Sequence, residues 1–257
     1  DENEGKYVAY LRPCVWKPGH EPPTPDTYDM SDGGWHGWYN GGPVPVDEKM
    51  RQFPHQRLIG RAVSEDFVDW SPTETVIAPD ETDPPATEIY SMPAFHYQDW
   101  IIGLAYMLYG DPEEGLIRKK GFMDIQLAAS RDGITWLRLG EHEPFIPRGD
   151  RGTFDMGMVG PNNGLIERDG KIWFYYNGWA GEHRETKTYR RANDPGHFEM
   201  GRLCSGIGLA TLRQDGFISI DAGEDEGVLV TPPEELSGQT LVINAVTQGT
   251  GEIRVEV

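Results

Sequence analysis

The sequence predicts an all-β chain assembled from repeated four-stranded meanders. Three observations carry this. A small-residue strand, an Asp turn and an aromatic recur together three times. An aromatic, β-branched strand precedes each copy. No stretch reads as a long amphipathic helix, because 32 Gly and 20 Pro interrupt the chain too often.

The recurring element runs over residues 60–70, 126–136 and 208–219. Its turns are built on Asp66, on Asp132-Gly133 and on Asp215-Gly216, and its aromatics are Trp70, Trp136 and Phe217. Asp-Gly between alternating apolar residues is a strong hairpin signal. The last copy is displaced by a polar insertion at 181–203. A turn residue repeated in every unit points to a structural task, because Asp side chains bond nearby backbone N–H groups. Asp66, Asp132 and Asp215 are therefore read as turn residues, and Trp70 and Trp136 as packing residues.

The preceding strands are 6–11, 100–106 and 171–176, whose residue types suit a buried pleated surface. The last two follow a further strand and turn, at 90–97 and 158–167. A unit thus reads strand, turn, aromatic strand, loop, small-residue strand, Asp turn, outer strand, with the recurring aromatic on the outermost strand. Repetition of a four-stranded meander is the mark of a β-propeller blade. The expected division is a propeller over 1–233, comprising a partial blade at 1–80 and blades at 86–149 and 153–233. The two alternating segments 239–245 and 252–257 around Gly249-Thr250-Gly251 are expected to open a C-terminal β-sandwich, 234–257. Lys6 falls on a second-type strand, so the first blade lacks its innermost strand. About three blades seldom close a ring. The chain is therefore expected to be a piece of a longer protein, or a protomer that closes against another copy.

A net charge of −19 disfavours nucleic acid and anionic membranes as partners. No run of 18 apolar residues is present, so no membrane-spanning helix is expected. No charged-then-apolar leader precedes the strands, so no signal peptide is expected in these residues. Cys14 and Cys204 match no metal-binding spacing and read as two core thiols. His36, His55 and His96 also lack metal spacing. No cofactor or metal is assigned, although the central channel leaves room for a structural calcium ion held by carboxylates and carbonyls.

The elements Ser64 to Trp70 and Ser130 to Trp136, each Ser-x-Asp-x-x-x-Trp, resemble the five-bladed propeller glycoside hydrolases: invertases, inulinases, levansucrases and arabinanases. The run Ile207 to Phe217 is similar to the last blade of bacterial proteins likened to invertase N-terminal domains. The resemblance covers nearly the whole chain and implies a propeller followed by a sandwich. It also implies a carbohydrate-active enzyme with an oligo- or polysaccharide substrate, secreted or periplasmic in a bacterium. The family's Asn-Asp-Pro-Asn, Arg-Asp-Pro and Glu-Cys motifs have no match; Arg12-Pro13 lacks the carboxylate. Counted back from the sandwich, Glu88 would open blade four and Asp155 blade five. The family's three catalytic carboxylates would then lie before Asp1 or in the missing strand. Glu88-Ile89-Tyr90-Ser91 resembles the blade-four element that lines the family's sugar pocket.

Innermost strands of a propeller gather their first residues around a central depression. Glu88 and Asp155 are accordingly the candidate catalytic pair, because glycoside hydrolysis uses one carboxyl as acid and another as base or nucleophile. Burial of such a pair drives their pKa values apart. Tyr90, Trp179 and His183 are candidate substrate contacts, pairing aromatic faces with polar donors. Trp35, in the Gly- and Pro-rich loop 17–45, is a fourth. Arg61 is a fifth, and with His183 would form the phosphate site of a glycoside phosphorylase. Asp124 opens a third-type strand and reads as a structural anchor. The leading function is a glycosidase; the alternatives are a non-catalytic propeller that binds sugar or protein, and a phosphorylase.

Overall fold

The computed structural model describes residues 5–16, 55–84, 86–110, 121–183, 205–223, 225–233, 238 and 240–256. Among these the regular structure is all strand, apart from one 3-10 turn at Gly140–His142. Three meander units follow one another.

In the first, β1 (Tyr7–Leu11) pairs antiparallel with β4 (Ile59–Ser64), and β4 pairs with β5 (Glu74–Ile77). Beyond Arg12-Pro13 the same hairpin continues as β2 (Cys14–Trp16) against β3 (His55–Arg57). Proline has no N–H to give the ladder, so the strand is broken there.

The second unit is built on β8 (Trp100–Gly110), a nearly continuous buried run. Such a run suits a strand covered on both faces. One edge of β8 pairs with β6 (Thr87–Ser91) and β7 (Ala94–Tyr97), and the other with β9 (Gly121–Ser130). The short β10 (Leu137–Arg138) closes the meander against β9. Met92-Pro93 divides β6 from β7, again through a missing donor.

In the third unit β13 (Lys171–Trp179) pairs with β11 (Met158–Pro161), β12 (Ile166–Arg168) and β14 (Ser205–Arg213). Asp169-Gly170 joins β12 to β13 with φ of 52° and 68° at its two residues. Two positive φ values are the signature of the tight hairpin turn that Asp-Gly favours. At Met158↔Met123 β11 meets β9 in parallel, which links the two units.

Two of the three repeat aspartates, Asp66 and Asp132, bond local backbone N–H groups as expected, whereas Asp215 accepts from the Tyr97 and Gln98 side chains. Asp66 Oδ1 accepts from the backbone N–H groups of Val68 and Asp69, and Asp132 Oδ1 from those of Ile134 and Thr135, at 2.7–2.9 Å. Ser64 and Ser130 bond these aspartates at 3.0 Å. Exposed to water and bonded to backbone donors, the Asp132 carboxyl is held down at about 2. Each later turn is tied to the unit before it. Tyr10 donates to the Gly133 carbonyl at 3.0 Å, and Tyr97 donates to Asp215 at 2.6 Å. Trp136 and Phe217 then pack edge-on against Tyr10 and Tyr97. Gly133 has φ of 70°, and a Cβ there would meet the Tyr10 hydroxyl at 2.6 Å.

One expectation is corrected. The recurring aromatics sit in or beside the turns rather than in outer strands: β5 begins only at Glu74 and β10 at Leu137. The Ser and Asp side chains take up the local N–H groups and so compete with the ladder. Among the described residues of 240–256 a turn closes from the Gly251 N–H to the Gln248 carbonyl, and Leu241, Val242, Val246 and Val255 are exposed.

Two apolar clusters join the units. Ile59 and Ile77 pack with Ile89, Met92 and Met107 between the first and second. Leu104, Ile125, Val159, Ile172 and Phe174 pack between the second and third.

Candidate functional site

The start of β6, the end of β13 and the break after β1 meet at one end of the units. Tyr90 on β6 stands edge-on to His183, ring centroids 5.2 Å apart, and to Tyr106 of β8 at 5.6 Å. His183 is placed by a backbone bridge, its N–H donating to the Gly121 carbonyl at 2.9 Å. Trp179 reaches the same surface by way of Gly160: a Cβ on Gly160 would lie 3.0 Å from the Trp179 ring and 3.2 Å from Tyr106. Three of the expected substrate contacts, Tyr90, Trp179 and His183, therefore belong to one aromatic run, with Tyr106 and Gly160 between them. Burial pushes the Tyr106 hydroxyl well above its ordinary range, so it stays protonated.

Two cations flank this run. The Arg12 guanidinium lies 4.3 Å from the Tyr90 centroid and that of Arg57 5.1 Å. Such distances are within cation–π range. Arg57 also holds Glu88. Its backbone N–H donates to Glu88 Oε1 at 3.2 Å, and its Nη1 lies 3.4 Å from Oε2. Both side chains are almost fully buried, at 4% and 2% exposure. A buried carboxylate needs such a partner to remain ionised.

Asp155 is buried as well and precedes β11. It accepts a hydrogen bond from the Tyr176 hydroxyl at 2.8 Å, and burial with this carboxylate pushes Tyr176 up to about 12. Its Cβ lies against Gly178 of β13, where any larger residue would collide with it. The two proposed catalytic carboxyls are thus held by separate partners, Arg57 and Tyr176.

Arg61 is placed elsewhere, on β4 beside Gly133 and opposite Tyr10. Trp35, the Cys14 side chain and Cys204 lie outside the described residues.

Asp124 is more than an anchor. It is buried on β9 and accepts from the Tyr109 hydroxyl at 2.9 Å. Burial raises its carboxyl to about 6; the Tyr109 bond and the Arg148 charge pull it back, and Glu143 pushes it further up. From Tyr109 the network runs through Gln126 to Arg138, which grips Asp83 with bonds of 2.5 and 2.6 Å. Asp80, Asp83 and His142 come close enough to share a cation. Arg138 already supplies that charge, so this group is a salt-bridge network between the β5–β6 loop and β10.

Sequence reasoning missed Arg12, Arg57, Tyr106 and the perturbed Asp124. Asp124 carried a signal, a lone carboxyl within the apolar run of β9. Arg57 carried none, because its neighbour Glu88 is distant in sequence.

No family model matches the chain, and no curated protein does. Solved structures do. A protein described as a glycoside hydrolase shares 18% identity at a TM-score of 0.41, over 71% of this chain and 43% of its own. A family-32 β-fructofuranosidase from Bombyx mori shares 16% at 0.39, over 67% and 30%. A thermostable family-43 glycoside hydrolase shares 14% at 0.40, over 70% and 46%. The chain spans less than half the length of each.

Proposed function

We propose that this chain is part of a carbohydrate-active enzyme, and that sugar binds along Tyr90, Trp179 and His183. The observation that carries this reading is the convergence of Tyr90 with Trp179 and His183, which are far from it in sequence, on one aromatic surface beside two buried carboxyls. Sugar rings present apolar C–H faces and a rim of hydroxyls. An aromatic run bordered by imidazole, guanidinium and carboxylate groups complements both.

The reaction is glycosidic bond cleavage. Glu88, 3.4 Å from the Arg57 guanidinium, is the carboxyl placed to stabilise positive charge at the sugar carbon or to act as base. Asp155, steadied by Tyr176, is the second carboxyl. The test is release of nitrophenol from a panel of aryl glycosides by the full chain. Glu88→Gln and Asp155→Asn are expected to lower turnover by about a hundredfold or more, with circular dichroism unchanged. Unchanged turnover in both variants would remove these residues from the mechanism.

A second reading, a non-catalytic sugar-binding module, has its own support. Each carboxyl is already engaged by a protein partner and nearly closed off from water. That reading predicts saturable binding of oligosaccharide with no product released.

A further inference from the structure

We infer that the Tyr90 surface recognises an oxyanion on its ligand, a sugar carboxylate or a free phosphate, through Arg12. This rests on the sugar-binding reading above and narrows its substrate class.

The chain has 42 acidic and 23 basic residues, so a cation near an aromatic binding surface has many carboxylates available to pair with. Two guanidiniums nevertheless converge on one ring, that of Tyr90. Their situations differ. Arg57 is buried and its charge is matched by Glu88 at 3.4 Å. Arg12 is an exposed guanidinium, and among the described residues no carboxylate pairs with it; it lies over the Tyr90 ring.

The backbone explains why Arg12 is there. It lies in the two-residue break between β1 and β2, where Pro13 ends the ladder. The side chain is thus released from the pleat and laid over the ring. A cation–π contact engages the face of the guanidinium, and the N–H donors of the exposed Arg12 can still bond a ligand. Their fork matches the two oxygens of a carboxylate or phosphate. His183, edge-on to the same ring, adds a second polar group within reach of a ligand stacked there.

The experiment uses the full chain and its Arg12→Gln variant on a glycan array. The array pairs each uronic-acid oligosaccharide with its neutral counterpart, differing only in carboxylate against hydroxymethyl. Calorimetry with inorganic phosphate runs in parallel. The expected result is a preference of about tenfold or more for acidic glycans, or measurable phosphate binding, either one lost in Arg12→Gln. Acidic glycans bound without a phosphate signal identify the sugar carboxylate as the source; phosphate bound with neutral glycans preferred identifies free phosphate. Neutral glycans bound with no phosphate signal, and unaffected by Arg12→Gln, would overturn the inference and leave the sugar-binding reading standing. No binding of any glycan or of phosphate would overturn both. Arg12 is exposed, so loss of folding in the variant is not expected, and circular dichroism checks it.

Discussion

Strands β8 and β9 present two different faces to their neighbours. Toward the third unit they show Leu104, Ile125 and Leu127, which join Val159, Ile172 and Phe174 in an apolar cluster, with the Tyr97–Asp215 hydrogen bond at its edge. Toward the first unit they show Met107 and Ala105, but also Asp124 and Gln126. There the contact is half apolar cluster and half polar network, running from Asp124 through Tyr109, Gln126 and Arg138 to Asp83. The comparison teaches that one repeated fold can build its unit junctions by unlike means. The apolar cluster depends on packed volume. The polar junction depends on every partner being present, and it brings a pH dependence with it.

Substitutions should separate the two. The largest loss is expected for Phe174→Ala, since Phe174 is 1% exposed and contacts Phe95, Phe145 and Phe217. Urea unfolding should show about 4 kcal/mol less stability, nearly independent of pH. Arg138→Met should cost somewhat less, about 3 kcal/mol, by leaving Asp83 buried without its cation. Changing Asp83→Leu in the same chain should recover much of that loss; a double variant as weak as the single would mean that the network is not the cause.

Asp124→Asn gives a smaller effect with a distinctive sign. The folded state binds the Asp124 proton more tightly than the unfolded chain does. Wild-type stability therefore falls as pH rises from the unfolded carboxyl value toward about 6. The variant should lack this fall and gain about 1–2 kcal/mol relative to wild type at neutral pH. Parallel unfolding midpoints for the two proteins across that range would contradict it. Asp132→Ala should cost least, within about 1 kcal/mol, because its bonds lie in an exposed turn. Its effect should shrink in acid, as the carboxyl that accepts those bonds becomes protonated.

The repeat was legible because its cues are local. Ser, Asp and Gly at fixed offsets specify a turn whatever the rest of the chain does, and Asp66 and Asp132 adopt the same bonding. At the site, Tyr90 and His183 were legible as residue types. Their junction with Arg12 and Arg57 was not, because it depends on where the β1–β2 break falls relative to β6. Asp124 lay between the two cases: the residue was visible, but its perturbation depends on Tyr109 and Arg148, which the fold brings to it.

The central claim is that sugar engages the surface holding Tyr90 and His183. Ring resonances of a labelled full chain test it directly, with Tyr90 assigned by Tyr90→Phe and an equimolar mixture of neutral and acidic oligosaccharides as probe. Tyr90 and His183 should shift on titration while Tyr7, at the far end of β1 against Phe67, stays unmoved. Shifts at neither residue, or at Tyr7 as large as at Tyr90, would contradict the account.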